Sequence, residues 1–138
     1  MKRSIAGFTL VEVMIVVVIV AVLSAMAIPR YMRSATKAKQ SEARTILKQI
    51  YTMQQAYYAE HLSYCLDGVT ANAANSSAYS PLMIEIMPSA RYTYVISLNG
   101  VDHFTCTATA NLDDDATIDT WVIDDTGVLV KVIDDSVL

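Results

Sequence analysis

Hydrophobic positions along this chain follow three patterns in succession, and each predicts a different element. From Phe8 to Ile28 (FTLVEVMIVVVIVAVLSAMAI) the run is almost unbroken, 21 positions interrupted by one carboxylate, Glu12. As a helix rising about 1.5 Å per residue it would be about 31 Å long, enough to cross the hydrocarbon of a bilayer. Next, Ala43, Ile46, Leu47, Ile50, Met53, Tyr57 and Leu62 recur at spacings of three to five, the stripe of an amphipathic helix. Lys37, Lys39, Glu42, Arg44, Lys48 and Gln55 fall largely off that stripe. The two patterns together predict one helix from Phe8 to about Ser63, roughly 80 Å if continuous. Pro29 lies inside it, where it removes the bond to the Ala25 carbonyl and should bend the helix.

From Arg91 onward the period drops to two. Tyr92, Tyr94, Ile96 and Leu98 share one face, and Asn99-Gly100 predicts a two-residue hairpin turn. Val101 to Ala110 returns with Phe104, Cys106 and Ala108 on one face. An acidic loop, Leu112 to Thr117, leads to Ile118–Asp124; a turn at Asp125-Thr126-Gly127 then leads to Val128–Ile133. The result is a four-stranded antiparallel sheet whose apolar face buries the helix stripe, an α+β fold. Between helix and sheet, Asn72 to Ser77 is loop chemistry. Ser80-Pro81 suits a short helical turn, with serine as cap and proline at the first position, and Pro88 would stop it.

The apolar run is preceded by MKRSIAG and admits three readings. It is a plain membrane anchor with Glu12 reaching for the headgroups. Or it is a secretory signal, with Val13 to Leu23 as its apolar region and Ala25-Met26-Ala27 as the cleavage site. Or the cut falls before the run, after Gly7, and the mature protein keeps it. A carboxylate in such a run is a functional candidate, because it is tolerable in hydrocarbon only when paired or neutralised.

Gly7-Phe8-Thr9-Leu10-Val11-Glu12, followed by an apolar run reaching Pro29, resembles the class III leader of type IV pilins and type II secretion pseudopilins. The resemblance is specific over roughly the first 30 residues and loose beyond. It implies a leader, 1–7, removed on the cytoplasmic side by a prepilin peptidase, and an N-methylated Phe8. It further implies a transmembrane and filament-core helix, 8–28, an amphipathic half, 29–63, and a head, 64–138. Within the head it places a connection, 64–90, a sheet, 91–133, and a tail, 134–138. Glu12 becomes the assembly carboxylate, paired with the Phe8 amine of a neighbouring subunit, and Pro29 the helix-kinking proline. The implied partners are identical subunits in a polymer, the peptidase, and an inner-membrane assembly platform with its ATPase. The implied location is the inner membrane as a single-pass chain before assembly and the cell-surface pilus afterwards.

Charge complicates this picture in one respect. Arg30, Arg33, Lys37, Lys39, Arg44 and Lys48 stand beyond the apolar run against one acid, Glu42, which opposes a simple positive-inside orientation. The resemblance, not the charges, puts the leader in the cytoplasm. From Tyr64 to Leu138 eleven acids face only Arg91 and Lys131, so the main head surface lacks a nucleic-acid footprint. Cys65 and Cys106 are the only cysteines; an even count in a periplasmic or extracellular domain reads as one disulfide, and two buried thiols are the alternative.

Nothing in the chain has the spacing of a nucleophile elbow, a P-loop, a dinucleotide fingerprint or a zinc site. No catalytic residue, cofactor or metal ligand is assigned, and His61 and His103 read as surface residues. Asp113, Asp114, Asp115, Asp119, Asp124 and Asp125 offer oxygens of the kind calcium prefers, but a solvated acidic surface explains them more simply. The reading is therefore a non-enzymatic subunit that polymerises into a type IV pilus. A secretion pseudopilin is the near alternative, and a membrane-anchored periplasmic binding domain that never polymerises the distant one.

Overall fold

The computed structural model describes residues 7–113 and 116–135. Its elements are a helix α1 (Leu10–His61), then strands β1 (Thr70–Ala71), β2 (Thr93–Leu98), β3 (Phe104–Ala110), β4 (Asp119–Asp124) and β5 (Leu129–Ile133). A single 3-10 turn, Ser80–Leu82, lies between β1 and β2, with Pro81 near its start as expected. Its cap is Tyr79 rather than Ser80, and no side chain closes it. The chain falls into two compact units, one ending at Ser34 and one starting at Ala35.

The first unit is the apolar part of α1. Val11 to Val22 contains no buried residue, and α1, of which it is part, is long and apolar enough to cross a membrane. An all-round apolar helix gains nothing from water and requires lipid or protein around it. The helix assignment runs through Pro29 without a break.

The second unit is the α+β head. Its sheet runs β1-β2-β3-β4-β5 with every neighbouring pair antiparallel. Five strands replace the four expected, because Thr70 and Ala71 pair with Val95 and Tyr94. Two residues are too few to show an alternating pattern, so β1 has no signature of its own. The alternation holds in β2, β3 and β4, while β5 has no buried residue: Tyr92, Tyr94, Ile96, Phe104, Cys106, Ala108, Trp121 and Ile123 are buried with Ala43, Leu47 and Ile50 of α1. The connection also contributes to the core, through Tyr79, Leu82, Ile84 and Ile86.

Three local expectations are corrected. The β2–β3 turn holds five residues, Asn99 to His103, closed by Asn99 N–H donating to the His103 carbonyl at 3.0 Å. Gly100 takes the positive φ expected of it, 79°, but the loop is longer because the head grips it: Tyr64 N–H donates to the Val101 carbonyl at 3.2 Å and the Tyr58 hydroxyl to Asp102 at 2.7 Å. The buried helix stripe is Thr36, Gln40, Ala43, Leu47, Ile50 and Gln54, with Ile46, Met53 and Tyr57 only partly covered. Leu62 lies past the helix end at φ 55° and is 75% exposed. The β4–β5 turn forms as expected, with Gly127 at φ 76° and a Cβ there would fall 2.8 Å from the Tyr51 ring, so only glycine lets this turn close on α1.

Candidate functional site

At the start of α1, Thr9 is the N-cap and Glu12 the third helical residue. The Thr9 N–H and hydroxyl both donate to Glu12 Oε2 at 2.9 Å, and the Glu12 N–H donates back to Thr9 Oγ1 at 3.3 Å. This reciprocal arrangement is a capping box, which satisfies helix-end donors that have no intrahelical partner. Gly7 and Phe8 stand immediately outside it, Phe8 82% exposed, and a Cβ added at Gly7 would meet nothing within 4 Å. Among the described residues, Gly7, Phe8 and Glu12 are thus gathered at one helix end. Thr9 was missed by motif reading, although Thr-x-x-Glu before an apolar run is itself a sequence signal for this cap. Lys2 and Arg3 lie outside the described residues.

Cys65 and Cys106 are free thiols in the structure, so the expected bond between them is absent from it. Cys106 faces the core from β3, while Cys65 is half-buried beside Gln54, whose Oε1 accepts the Cys65 N–H at 3.2 Å. Burial pushes the Cys106 thiol up to about 12 and raises that of Cys65 as well. The native chain should therefore be alkylated slowly at Cys65 and not at Cys106 near about pH 8, with both reacting after unfolding. Labelling counted by mass spectrometry checks this; two thiols that stay silent until a reductant is added would mean a disulfide.

The acidic residues divide into different roles. Asp119 is fully buried on β4, not part of a solvated surface. Its carboxylate accepts from Gln40 Nε2 at 2.8 Å, the Tyr92 hydroxyl at 2.6 Å, Trp121 Nε1 at 2.6 Å and Asp135 N–H at 3.1 Å. Burial and the Asp119 contact push the Tyr92 phenol far above its ordinary range, so it remains a donor. Gln40 Nε2 also reaches Asp134 at 2.9 Å, and Asp135 accepts the Leu112 N–H at 2.8 Å. One carboxylate therefore joins α1, the residue before β2, β4 and the C-terminal segment. Asp124 caps its own turn at Thr126, and Asp125 pairs with the exposed His103 at 3.0 Å. Asp114 and Asp115 lie outside the described residues, and among those described no group of three or more side chains could hold a metal. His61 stacks on Tyr57, with ring centroids 4.0 Å apart.

Comparison with known proteins identifies the family. Residues 2–28 match the family described as "Prokaryotic N-terminal methylation motif", and residues 29–119 match "Type IV minor pilin ComP, DNA uptake sequence receptor". The chain is 41% identical over 75 residues to the "Type IV major pilin protein PilA" of Myxococcus xanthus, covering 54% of this chain and 31% of that protein. It is 38% identical over 72 residues to the "Type IV major pilin protein PilE" of Neisseria gonorrhoeae, covering 52% and 43%. It is 35% identical over 63 residues to the "Type II secretion system core protein G" of Pseudomonas aeruginosa, covering 46% and 44%. The matched stretch spans less than half the length of each of these relatives. With its methylation-motif start, long helix and antiparallel sheet, the chain belongs to the type IV pilin family, as a ComP-like minor pilin.

Proposed function

We propose that this chain is cut after Gly7, methylated on the new Phe8 amine, held in the inner membrane by Phe8 to Ile28, and then polymerised into a pilus filament. The observation that carries the reading is the uncovered apolar half of α1, with no residue buried from Val11 to Val22. Such a surface suits lipid before assembly and neighbouring subunits after it. Glu12 supports the same reading. Among the described residues its capping contacts are to Thr9, at the helix end beside the exposed Phe8, so a neighbour's amine can approach it. Pro29 provides the bend, and the peptidase and the platform with its ATPase supply cleavage and extrusion.

Shearing cells and probing the filament fraction tests this reading. The chain is expected there, as well as in the inner membrane; its confinement to the membrane under conditions that yield filaments would refute the pilus role. The periplasmic role suggested by the type II secretion relative makes that second outcome its own prediction. If the basic stretch Arg30–Lys48 meets the acidic heads of neighbours, raising salt should loosen isolated filaments. Sedimentation across a salt series checks this, and salt-indifferent filaments would count against the contact.

A second reading comes from the matched family's description, which names a DNA receptor and runs against the expectation that the head makes no nucleic-acid contact. One observation favours it here: six cations against one acid between Arg30 and Lys48. The footprint would then lie on α1 rather than on the acidic side of the head. Duplex binding by the detergent-solubilised chain, lowered by Lys37→Ala with a salt slope smaller by about one, is the corresponding test.

A further inference from the structure

A groove of about 490 Å³ lies between α1 and the segment leading to β2, lined by Glu42, Ile46, Glu85, Ile86, Met87 and Ala90 among others. Its floor is apolar, and both of its charged side chains are acids. Glu42 is held there by the Arg91 N–H, which donates to its Oε1 at 3.0 Å. Glu85 is exposed and, among the described residues, takes part in no ion pair. The groove therefore presents two carboxylates around an apolar patch, with no cation among its lining residues.

The complement is found on the first unit of the same chain. Met26, Arg30 and Arg33 stand at i, i+4 and i+7 of α1, which places them on one face of the helix. Met26 is 64% exposed, and both arginines are exposed with no ion pair among the described residues. Two cations and one apolar side chain on this face match two carboxylates and one apolar floor in the groove. We propose that the groove at Glu42 and Glu85 receives the Met26–Arg30–Arg33 face of a second copy. The inference rests on the polymerising role proposed above and specifies one contact within it. The two patches are different surfaces of one chain, so the contact is heterologous and extends from copy to copy without having to close. DNA would engage the same arginines but would leave the acidic groove with no occupant.

A charge exchange tests the contact. Wild type, Glu85→Arg, Arg33→Glu and the combined variant are expressed, and the chain in sheared filaments is measured against the membrane-bound chain. Each single reversal is expected to lower incorporation by about fivefold or more, and the combination to restore it to within about twofold of wild type. All three variants keep the head's core, so thermal melts should coincide. Singles that assemble like wild type would overturn the groove contact while leaving polymerisation intact. Single losses that the combination does not repair would assign the groove to a cation of another protein. Arg33→Glu that assembles normally and loses only DNA binding would assign the arginines to nucleic acid. A wild-type chain absent from filaments would instead overturn polymerisation itself, and the contact with it.

Discussion

Replacing Glu12 by alanine is expected to remove the chain from sheared filaments while leaving its amount in the inner membrane nearly unchanged. The carboxylate has one observed role and one proposed role, which substitutions can separate. Within one chain it closes the capping box with Thr9; between chains it is the charge to which a neighbour's Phe8 amine would pair. Glu12→Gln keeps a side chain able to cap the helix and discards the charge. Thr9→Ala keeps the charge and discards the cap. If assembly depends on the ion pair, Glu12→Gln fails as completely as Glu12→Ala, and Thr9→Ala still assembles. The opposite order, with glutamine tolerated and Thr9→Ala inactive, would make Glu12 a helix-capping residue only. The comparison is read from filament and membrane fractions of the same cells.

Asp119→Ala is expected to produce the largest loss of head stability. It would leave Gln40 Nε2, the Tyr92 hydroxyl, Trp121 Nε1 and the Asp135 N–H without their buried acceptor. Removing one partner of such a network costs about 3–5 kcal/mol, since the remaining donors stay desolvated. In a domain of this size that lowers the melting temperature by roughly 15 °C or more. Thermal denaturation of the detergent-solubilised chain, followed by Trp121 fluorescence, measures it. Trp121 is a suitable reporter, lying under the Arg44 guanidinium at 4.9 Å and the Lys131 ammonium at 5.5 Å. A shift of only a degree or two would show that the four donors find water or other acceptors.

The contrast between these two carboxylates explains how much of the molecule could be read in advance. Glu12 was conspicuous because a single acid in an apolar run has no ordinary reason to be there. Asp119 was hidden among neighbouring aspartates, and its burial depends on donors from Gln40, Tyr92 and Asp135, 79, 27 and 16 residues away. The same separation hid the polar part of the buried helix face. Gln40 and Gln54 look like solvent residues until distant partners, Asp119 and the Cys65 carbonyl, are supplied. Strands β2, β3 and β4 were legible because their alternation is local, and so was the helix, from its unbroken apolar run and its periodic stripe. The five-residue β2–β3 loop was not, since its length is set by Tyr58 and Tyr64 reaching across from elsewhere. For the cysteines, an even count carried no information about whether two side chains, one on β3 and one after α1, would meet.

The central claim is that the apolar rod stays on the mature chain and becomes the packing surface between subunits. The intact mass and amino-terminal residue of the chain recovered from sheared filaments test it most directly. The account predicts a chain beginning at Phe8, one methyl group heavier than residues 8–138. A chain beginning at Ile28, or one still carrying Met1 and found only in membranes, would contradict it.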